Sequence, residues 1–466
     1  MSVDDPQDFA HRLATRHADL LVRGGILLTP SGRQCGDVAC LGGRIVALAG
    51  QAQGWQAHQE IDARGLHVLP GVIDTQVHFR EPGLTQKETL EAGTRGAVLG
   101  GVTAVFEMPN TQPLTLWQSD LQAKLARAEG RAWCDYAFYI GGSAVNAQQL
   151  AALEALPGCA GVKVFMGSSF GDLLADEDVV LQRILRHGQR RLAVHAEDES
   201  RLRARKGLVE SSGDVREHHI WRDVPSALIA TQRIVRLAEE AGRRVHVLHV
   251  TSAEEMAFLA QHKRRVSVEV TPHHLSMSAP ECYERLGSLA QMNPPVRESR
   301  HRDALWEAVR SGVVDVLGSD HAPHTLEEKA RPYPQSPSGM TGVQTLLPLM
   351  LDHVHAGRLS LERLVDLSSA GPARLFGIEG KGRIAPGYDA DLTLVDLAAQ
   401  RTICNDWIAS VSGWSPYDGL RVTGWPIHTI VRGHPVVRDE ALADPVPHGR
   451  PIQFLEHKPA QAATPQ

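Results

Sequence analysis

The stretch VIDTQVHF at residues 72–79 is the first of eight short apolar runs that alternate with helical patterns between residues 72 and 323. Each run has the length and composition of a buried strand and ends in a polar or small residue. The closing residues are Gln76 and His78, Asn110, Gly141, Lys163, His195, His249, His273 and Asp320. Strand–helix alternation repeated eight times predicts an α/β fold, a (β/α)8 TIM barrel whose strand ends meet at one rim.

The two outer parts of the chain have a different pattern from the middle. Residues 19–70 and 383–445 contain short β-branched runs broken by glycine pairs, so we expect them to form one small composite β-sandwich domain. The barrel domain is predicted at 71–382. Residues 1–18 are predicted to be an N-terminal extension, and 446–466 a loose C-terminal tail or an arm over a neighbouring chain.

Two segments are longer than the loops of a barrel need to be. Residues 199–224 are highly charged and are predicted to form a long loop after the fifth strand. Residues 322–342 are rich in proline, serine and glycine and follow Asp320 directly. A long segment at the rim that carries the strand ends is typical of a lid or substrate clamp.

Composition limits the classes of function. The chain has 466 residues, a net charge of −6 and no long basic run, which argues against nucleic acid as a partner. No stretch approaches the roughly 18 apolar residues of a membrane span. The six scattered cysteines never form a CxxC pair, which favours reduced thiols, and the first residues are too acidic for a secretion signal. We expect a cytoplasmic protein that acts on a small molecule.

Three histidines at equivalent strand ends predict a metal site. One isolated histidine is usually a hydrogen-bonded core residue, but His78, His195 and His249 recur at the same position in their repeats. A neutral imidazole is the commonest protein ligand of zinc. We therefore predict that these three residues bind zinc.

Lys163 and Asp320 extend the predicted metal set. A lysine inside the apolar run GVKVFMGSS cannot stay charged and unpaired cheaply, so it either reaches solvent or a carboxylate, or it becomes a neutral amine that adds CO2. The resulting carbamate could bridge two cations. Asp320 could simply cap a helix, but beside His321 and His324 it is predicted to ligate the metal and to act as the catalytic general acid and base.

Four further residues are predicted to bind the substrate. Arg80 lies two positions after His78, which places it on the same side of an extended strand, and its guanidinium suits a carboxylate. Asn110 and His324 could donate to the same group. Asn293 lies in the proline-locked stretch MNPPVR after the seventh run. Each of these four could also be an ordinary surface residue.

Several stretches resemble the dihydroorotase branch of the amidohydrolase superfamily. They run in order from about residue 60 to 395 and include LPGVIDTQVHFREPG, GVKVFMGSS, VHAED, LHVTS, MNPPVR and GSDHAPHT. The resemblance implies zinc-dependent, reversible cyclisation of N-carbamoyl-L-aspartate to L-dihydroorotate in pyrimidine biosynthesis. A metal hydroxide would be the nucleophile, and Asp320 would shuttle the proton.

The resemblance also assigns roles to individual residues. Zinc would be held by His78, Lys163 as its carbamate, His195, His249 and Asp320. The substrate carboxylate would be bound by Arg80, Asn110 and His324, with Asn293 and residues 333–342 on the pyrimidine side. A homodimer and an aspartate transcarbamoylase partner are further expectations from the same resemblance.

One position departs from the family pattern and leaves alternatives open. The first strand of the family usually ends in His-x-His, whereas this chain has Gln76-Val77-His78. Because an amide oxygen is a weak zinc ligand, we expect one firmly bound zinc and a second that is weak or absent. The alternatives are a related amidase acting on allantoin, hydantoins or dihydropyrimidines, and an inactive barrel kept as a scaffold.

Overall fold

The computed structural model describes residues 6–167 and 171–455. Its strands in chain order are β1 His17–Thr29, β2 Gly32–Leu41, β3 Arg44–Leu48, β4 Gln56–Asp62, β5 His67–Pro70, β6 Val72–Val77, β7 Val102–Glu107, β8 Asp135–Gly141, β9 Cys159–Phe165, β10 Leu192–His195, β11 Val245–Val247, β12 Val266–Val270, β13 Val316–Leu317, β14 Leu392–Thr402, β15 Arg421–Val431, β16 His434–Arg438 and β17 Ala441–Leu442.

Helices follow most of the barrel strands. They are α1 Pro6–Ala14, α2 Leu90–Leu99, α3 Gln118–Ala128, α4 Leu150–Leu153, α5 Asp178–Arg186, α6 Glu199–Ser212, α7 His218–Trp221, α8 Val224–Ala241, α9 Ala253–Leu259, α10 Pro272–Ser276, α11 Glu281–Leu286, α12 Ser299–Arg310, α13 Leu326–Lys329, α14 Leu346–His355, α15 Leu361–Val365 and α16 Gly371–Phe376.

The eight strands β6 to β13 form one parallel sheet in sequence order, as predicted. The sheet closes on itself where Val77 bridges His321, next to a 2.7 Å hydrogen bond from the backbone N of His78 to the carbonyl O of His321. The barrel prediction is therefore confirmed. Because all strands run the same way, their carboxyl ends lie at one rim.

Aromatic side chains fill the barrel from the opposite end. Phe106 packs edge-on against Phe376 and Phe454, with ring centroids 5.2 and 5.7 Å apart. Ile452 is fully buried in the same apolar cluster. Apolar side chains thus fill this end of the barrel interior.

Strands from both ends of the chain form the additional sheet, again as predicted. Nine strands are hydrogen-bonded, in the order β17-β16-β15-β14-β5-β1-β2-β3, with β4 pairing with β1. The N-terminal and C-terminal parts meet where β5 pairs with β14. The first strand begins at His17, inside the predicted extension, because residues 17–29 form one continuous strand that pairs with three neighbours.

Two predicted irregular segments have regular or fixed structure. Residues 199–224 are not a loop: α6 and α7 occupy most of them, and Asp198 caps α6 by accepting from the backbone N of Arg201 at 2.8 Å. Residues 446–455 are not a loose tail either, because Gly449 and Ile452 donate backbone hydrogen bonds of 2.9 Å to the barrel. Residues 456–466 lie outside the described range.

The described residues contain no helix that is both long and apolar enough to cross a membrane.

Candidate metal and substrate site

Two histidines face each other at the rim of the barrel. The Nδ1 atom of His195, the last residue of β10, lies 3.1 Å from Nε2 of His249, which follows β11. Both side chains are almost completely buried, and burial lowers the pKa of each below its ordinary value. Both imidazoles are therefore neutral near pH 7, which is the form that binds a metal.

The orientation of His195 is fixed by an acidic residue two positions later. Nε2 of His195 donates to Oε2 of Glu197 at 2.7 Å, and Arg222 donates to both oxygens of the same carboxylate. Burial alone would raise the pKa of Glu197, but Arg222 and His195 hold it below its ordinary value. Because Nε2 of His195 carries the proton that it donates to Glu197, Nδ1 is unprotonated and its lone pair points towards His249.

A second pair, from the first and last barrel strands, completes the polar rim. Nε2 of His78 lies 3.2 Å from Oδ1 of Asp320, while its Nδ1 donates to Oδ1 of Asn110 at 2.7 Å. Burial would raise the pKa of Asp320, but His78 and the nearby His249 and Lys163 hold it below its ordinary value. Asp320 is therefore a carboxylate at neutral pH. Asn110 orients His78, a role that the sequence did not predict.

Gln76 also turns towards Asp320. Its Nε2 donates to Oδ1 of Asp320 at 3.0 Å, and its Oε1 is buried with no hydrogen-bond partner. The amide therefore presents a donor to the carboxylate, where a histidine could present a lone pair to a cation.

Lys163 lies within β9 and its amine is isolated. Nζ is buried without a hydrogen-bond partner and lies 4.4 Å from the centre of the Phe165 ring. Burial lowers the pKa of Lys163 to about 7, although Asp320 and Glu269 act in the opposite direction. The amine is therefore uncharged in a large fraction of molecules at neutral pH, as carbamate formation requires.

These residues fit a metal ion on the evidence of one unsatisfied atom and of the chemistry of the donors. Lys163 Nζ is a buried polar atom without a partner among the described residues, and such an atom is costly unless a ligand satisfies it. The donor set around it consists of imidazole nitrogens and one carboxylate, which is the set that zinc prefers. The predicted ligands are thus brought to one rim and have suitable protonation states.

A cluster of basic side chains lies beside the predicted metal ligands, with Glu328 3.1 Å from Nζ of Lys87. Arg80 donates from Nε to the carbonyl O of Pro323 at 3.2 Å, and its Nη2 lies 3.3 Å from Nε2 of His324. Nδ1 of His324 is 3.1 Å from Nζ of Lys87. Burial lowers the pKa of Arg80 only to about 10, so the guanidinium stays charged. Arg80 and His324 are thus in contact, and their role in binding substrate stays a prediction. Lys87 was not predicted, because it lies in an irregular stretch.

The backbone conformation of Arg80 differs from the predicted extended strand. Strand β6 ends at Val77, and Arg80 has a φ of +62°, so it is not on an extended strand. His249 and Asp320 also have positive φ, +37° and +49°. Non-glycine residues pay for this conformation, and such strain concentrates at functional sites.

Asn293 contacts different partners from Arg80. Its Oδ1 accepts from Nε2 of His218, at 3.1 Å, and Nδ1 of His218 lies 3.0 Å from the hydroxyl of Tyr333. The contact joins α7 to the segment 322–342. Asn293, His218 and Tyr333 thus connect the helical insertion to the predicted lid, and we call this group of contacts the wall over the rim.

The wall is completed by a segment that the sequence analysis left out of the site. The indole Nε1 of Trp414 donates to the carbonyl O of His324 at 2.7 Å, and the Tyr417 ring stacks on His273 with a hydroxyl to Nδ1 distance of 2.9 Å. Strand β12 ends at Val270, so His273 lies in α10 and not at a strand end. The spacing of apolar runs could not reveal these contacts, because the partners are 90 and 144 residues apart.

Two buried glutamates near the rim, Glu197 and Glu269, were also missing from the residues predicted from the sequence. Glu197 could have been noticed, because it follows His195 at the two-residue spacing of a side chain on the same face. Glu269 lies inside the barrel, where Thr75 donates to its Oε2 at 2.9 Å and burial raises its pKa to about 8. Glu269 interrupts the apolar run VSVEV as Lys163 interrupts its own run, so the cost of burying its charge was a signal that could have identified it.

Comparison with known proteins gives a consistent family. The family model described as "Amidohydrolase family" matches residues 67–436. A dihydroorotase from Halobacterium salinarum is 38% identical over 368 residues, which is 78% of this chain and 85% of that protein. An allantoinase from Rubrobacter xylanophilus is 36% identical over 432 residues, which is 90% of this chain and 94% of that protein.

A solved structure with a third named activity is also similar to this chain. The L-hydantoinase (dihydropyrimidinase) from Arthrobacter aurescens superposes with a TM-score of 0.89 at 31% identity, covering 93% of this chain and 99% of the hydantoinase. Relatives with three different ring substrates are thus similarly close, so the choice among those substrates depends on the residues of the site.

Proposed function

We propose that this chain, which belongs to the amidohydrolase family, is a zinc-dependent dihydroorotase. It would interconvert N-carbamoyl-L-aspartate and L-dihydroorotate in pyrimidine biosynthesis. The broader assignment, a hydrolase of cyclic amides, follows from the family and from its dihydroorotase, allantoinase and hydantoinase relatives.

The pairing of Arg80 with His324 carries the choice of substrate. Arg80 is a buried cation whose Nη1 makes no hydrogen bond with the described residues, so it can donate to a ligand. Dihydroorotate has a carboxylate on its ring, whereas hydantoin and dihydrouracil have none. A buried guanidinium without an anionic partner is costly, and a substrate carboxylate would satisfy it.

The predicted ligands would hold zinc between the histidine pair and Asp320. His195, His249 and the carbamate of Lys163 would bind it, with His78 and Asp320 alongside. When bound, zinc activates a water for attack on the ring amide and polarises the carbonyl. The Gln76 amide is occupied with Asp320, which supports one firm zinc and a second that is weak or absent.

Asp320 is suited to move the proton. It is ionised, buried and within hydrogen-bond reach of His78, so it can accept a proton from the attacking water. In ring opening it returns that proton to the amide nitrogen that leaves. In ring closure the same carboxylate works in reverse.

The test compares a charged and an uncharged ring. Purified zinc-loaded protein is assayed on L-dihydroorotate and on 5,6-dihydrouracil, with Arg80→Ala and, as a matched surface control, Arg127→Ala. Loss of a charge-assisted hydrogen bond is worth about 1.5–3 kcal/mol, so we expect R80A to lower kcat/KM for dihydroorotate by roughly 10- to 100-fold. R127A should leave it unchanged.

Other outcomes select the alternatives. A parent enzyme that prefers dihydrouracil, hydantoin or allantoin would replace the proposal with one of those activities. If the parent protein has no activity on any of these rings, and Asp320→Asn does not change that result, the chain is an inactive scaffold. A homodimer, an aspartate transcarbamoylase partner and a cytoplasmic location belong to the same proposal, and size-exclusion chromatography with and without the transcarbamoylase tests the first two.

A further inference from the structure

A group of two histidines and one aspartate lies outside the barrel rim, where the additional sheet meets the C-terminal segment. His434 begins β16, and Asp444 and His448 lie in the turn that follows β17. One ligand atom from each of the three lies within 4.8 Å of the other two. The three residues are at most 14 positions apart in the sequence, and the chain brings them together by turning back between the antiparallel strands β16 and β17.

The two imidazoles lie in contact with each other. The rings of His434 and His448 stack with centroids 3.9 Å apart and planes 5° from parallel. Nε2 of His448 is 2.8 Å from Oδ2 of Asp444, so a carboxylate is aligned with this ring. Two imidazoles and one carboxylate form a common zinc ligand set, with water completing the coordination.

A comparison within the chain shows why this group differs from an ordinary charge cluster. The other group of three acids with converging oxygens is Asp135, Asp389 and Asp391. Lys381 contacts all three, and Arg432 contacts Asp135 and Asp389. That space is filled by protein cations. At His434, Asp444 and His448 no lysine or arginine of the described chain makes a salt bridge to the carboxylate.

There is room for an ion with its waters. The three residues line a groove of about 1370 Å³ between the additional sheet and the barrel. Asp444 and His448 are partly exposed and His434 is exposed, so an ion can enter from solvent. Asp19 lines the same groove, but Arg12 and the backbone N of Gly42 already occupy its carboxylate.

An ion at this point would join two parts of the fold. Residues 449–455, which we call the strap, follow His448 directly and lie across the barrel. Gly449 donates to the carbonyl O of Ala132 at 2.9 Å, and a side chain there would place Cβ only 2.0 Å from the carbonyl O of Cys134. The strap therefore starts at a tightly packed point immediately after the last ligand.

We propose that His434, Asp444 and His448 bind a divalent transition-metal ion of the zinc type, and that this ion holds the strap against the additional sheet. The site is structural and independent of the metal at the barrel rim. It requires no residue of the proposed catalytic site.

The number of zinc ions per chain tests the site. Metal-free full-length protein is titrated with ZnCl2 by calorimetry, and zinc is counted by mass spectrometry after dialysis. The variants are His434→Ala/His448→Ala, Asp444→Asn, and the control His58→Ala, whose ring lies in the same groove but outside the group. We expect the double variant to bind one zinc fewer than the parent, D444N to bind that zinc more weakly, and H58A to match the parent.

Two further readouts separate the outcomes. His195→Ala/His249→Ala should lose the rim metal and keep the zinc at His434, which distinguishes the two sites. Chymotrypsin cleavage after Phe454 or Leu455, in the strap, should be slowed by zinc in the parent and in H58A but not in H434A/H448A. Equal zinc counts in parent and double variant would overturn the site. Cleavage rates that zinc does not change in the parent would overturn its action on the strap.

Discussion

The side-chain amide of Gln76 donates a 3.0 Å hydrogen bond to Oδ1 of Asp320, the carboxylate that also lies 3.2 Å from Nε2 of His78. An amide N–H cannot ligate a cation, and turning the amide to present Oε1 would break this bond. The residue that occupies the first position of the His-x-His pattern thus makes a hydrogen bond to the predicted metal-binding carboxylate.

Replacing Gln76 with histidine is expected to create the second metal position. Gln76→His adds an imidazole nitrogen beside Asp320 and removes the amide donor, so zinc retained after exhaustive dialysis should rise from about one to about two per chain. Mass spectrometry measures this, with H434A/H448A as the background so that only the rim is counted. Gln76→Ala, which removes the donor without adding a ligand, should stay near one. Two tightly held zinc ions at the rim of the parent would contradict the prediction.

The sequence predicted the barrel and most of the rim because both depend on local, repeated features. Lys163, His195, His249 and Asp320 each follow or interrupt an apolar run, and parallel strands must bring such positions together. The contacts that orient them could not be predicted in the same way. Arg222 reaches Glu197 from a helical insertion that looks like a charged loop, because helix α6 has few buried residues to give it an apolar period.

The wall over the rim was missed for a related reason. Trp414 lies in the long connection between β14 and β15, which belongs to the additional sheet by sequence. Its contact with His324 depends on how the sheet packs beside the barrel, and no pattern within either segment contains that information. Long-range packing of this kind requires the tertiary structure.

The Glu197–Arg222 pair is expected to control the affinity of His195 for metal. Glu197→Gln removes the charge that accepts the His195 proton and leaves Arg222 buried without its partner. Loss of such a partner costs about 3–5 kcal/mol of stability, and loss of a group that orients a ligand typically costs 10- to 100-fold in metal affinity. Chelator competition measures the affinity, and denaturant unfolding measures the stability.

A nearby glutamate provides the control for this change. Glu199 is two residues further on, and its partly buried side chain forms a salt bridge with the exposed Arg203 in α6. Glu199→Gln should change zinc affinity less than twofold and stability by less than about 1 kcal/mol. If E197Q behaved like E199Q, Glu197 would have no role in orienting His195.

The buried amine of Lys163 is expected to make stability depend on pH. Burial lowers its pKa from 10.5 to about 7 in the folded chain, so between these values the unfolded chain binds a proton that the folded chain does not. The free energy of unfolding should therefore rise as pH increases from about 7 to about 10.5, by up to about 1.4 kcal/mol per pH unit from this group. Below about pH 7 the cost of the buried charge is fully present.

Comparison with a variant isolates this contribution. Denaturant unfolding of metal-free protein in CO2-free buffer is measured at several pH values for the parent and Lys163→Met. The variant should lose the rise, because it has no proton to release. Lys206→Met, at a surface lysine paired with Glu210, should keep it. Parallel pH profiles for the parent and K163M would show that the amine is not buried as a neutral group.

The strap is expected to stabilise the barrel through Ile452. This side chain is fully buried against the apolar cluster that contains Phe106 and Phe376, and its backbone N donates to the carbonyl O of Tyr136 at 2.9 Å. Ile452→Ala leaves the hydrogen bond and removes the packing, which should lower the free energy of unfolding by about 2–5 kcal/mol. Val446→Ala, at an exposed position before the strap, should change it by less than about 0.5 kcal/mol. Denaturant unfolding distinguishes the two, and an I452A variant as stable as the parent would mean that the C-terminal segment is the loose tail that its composition predicts.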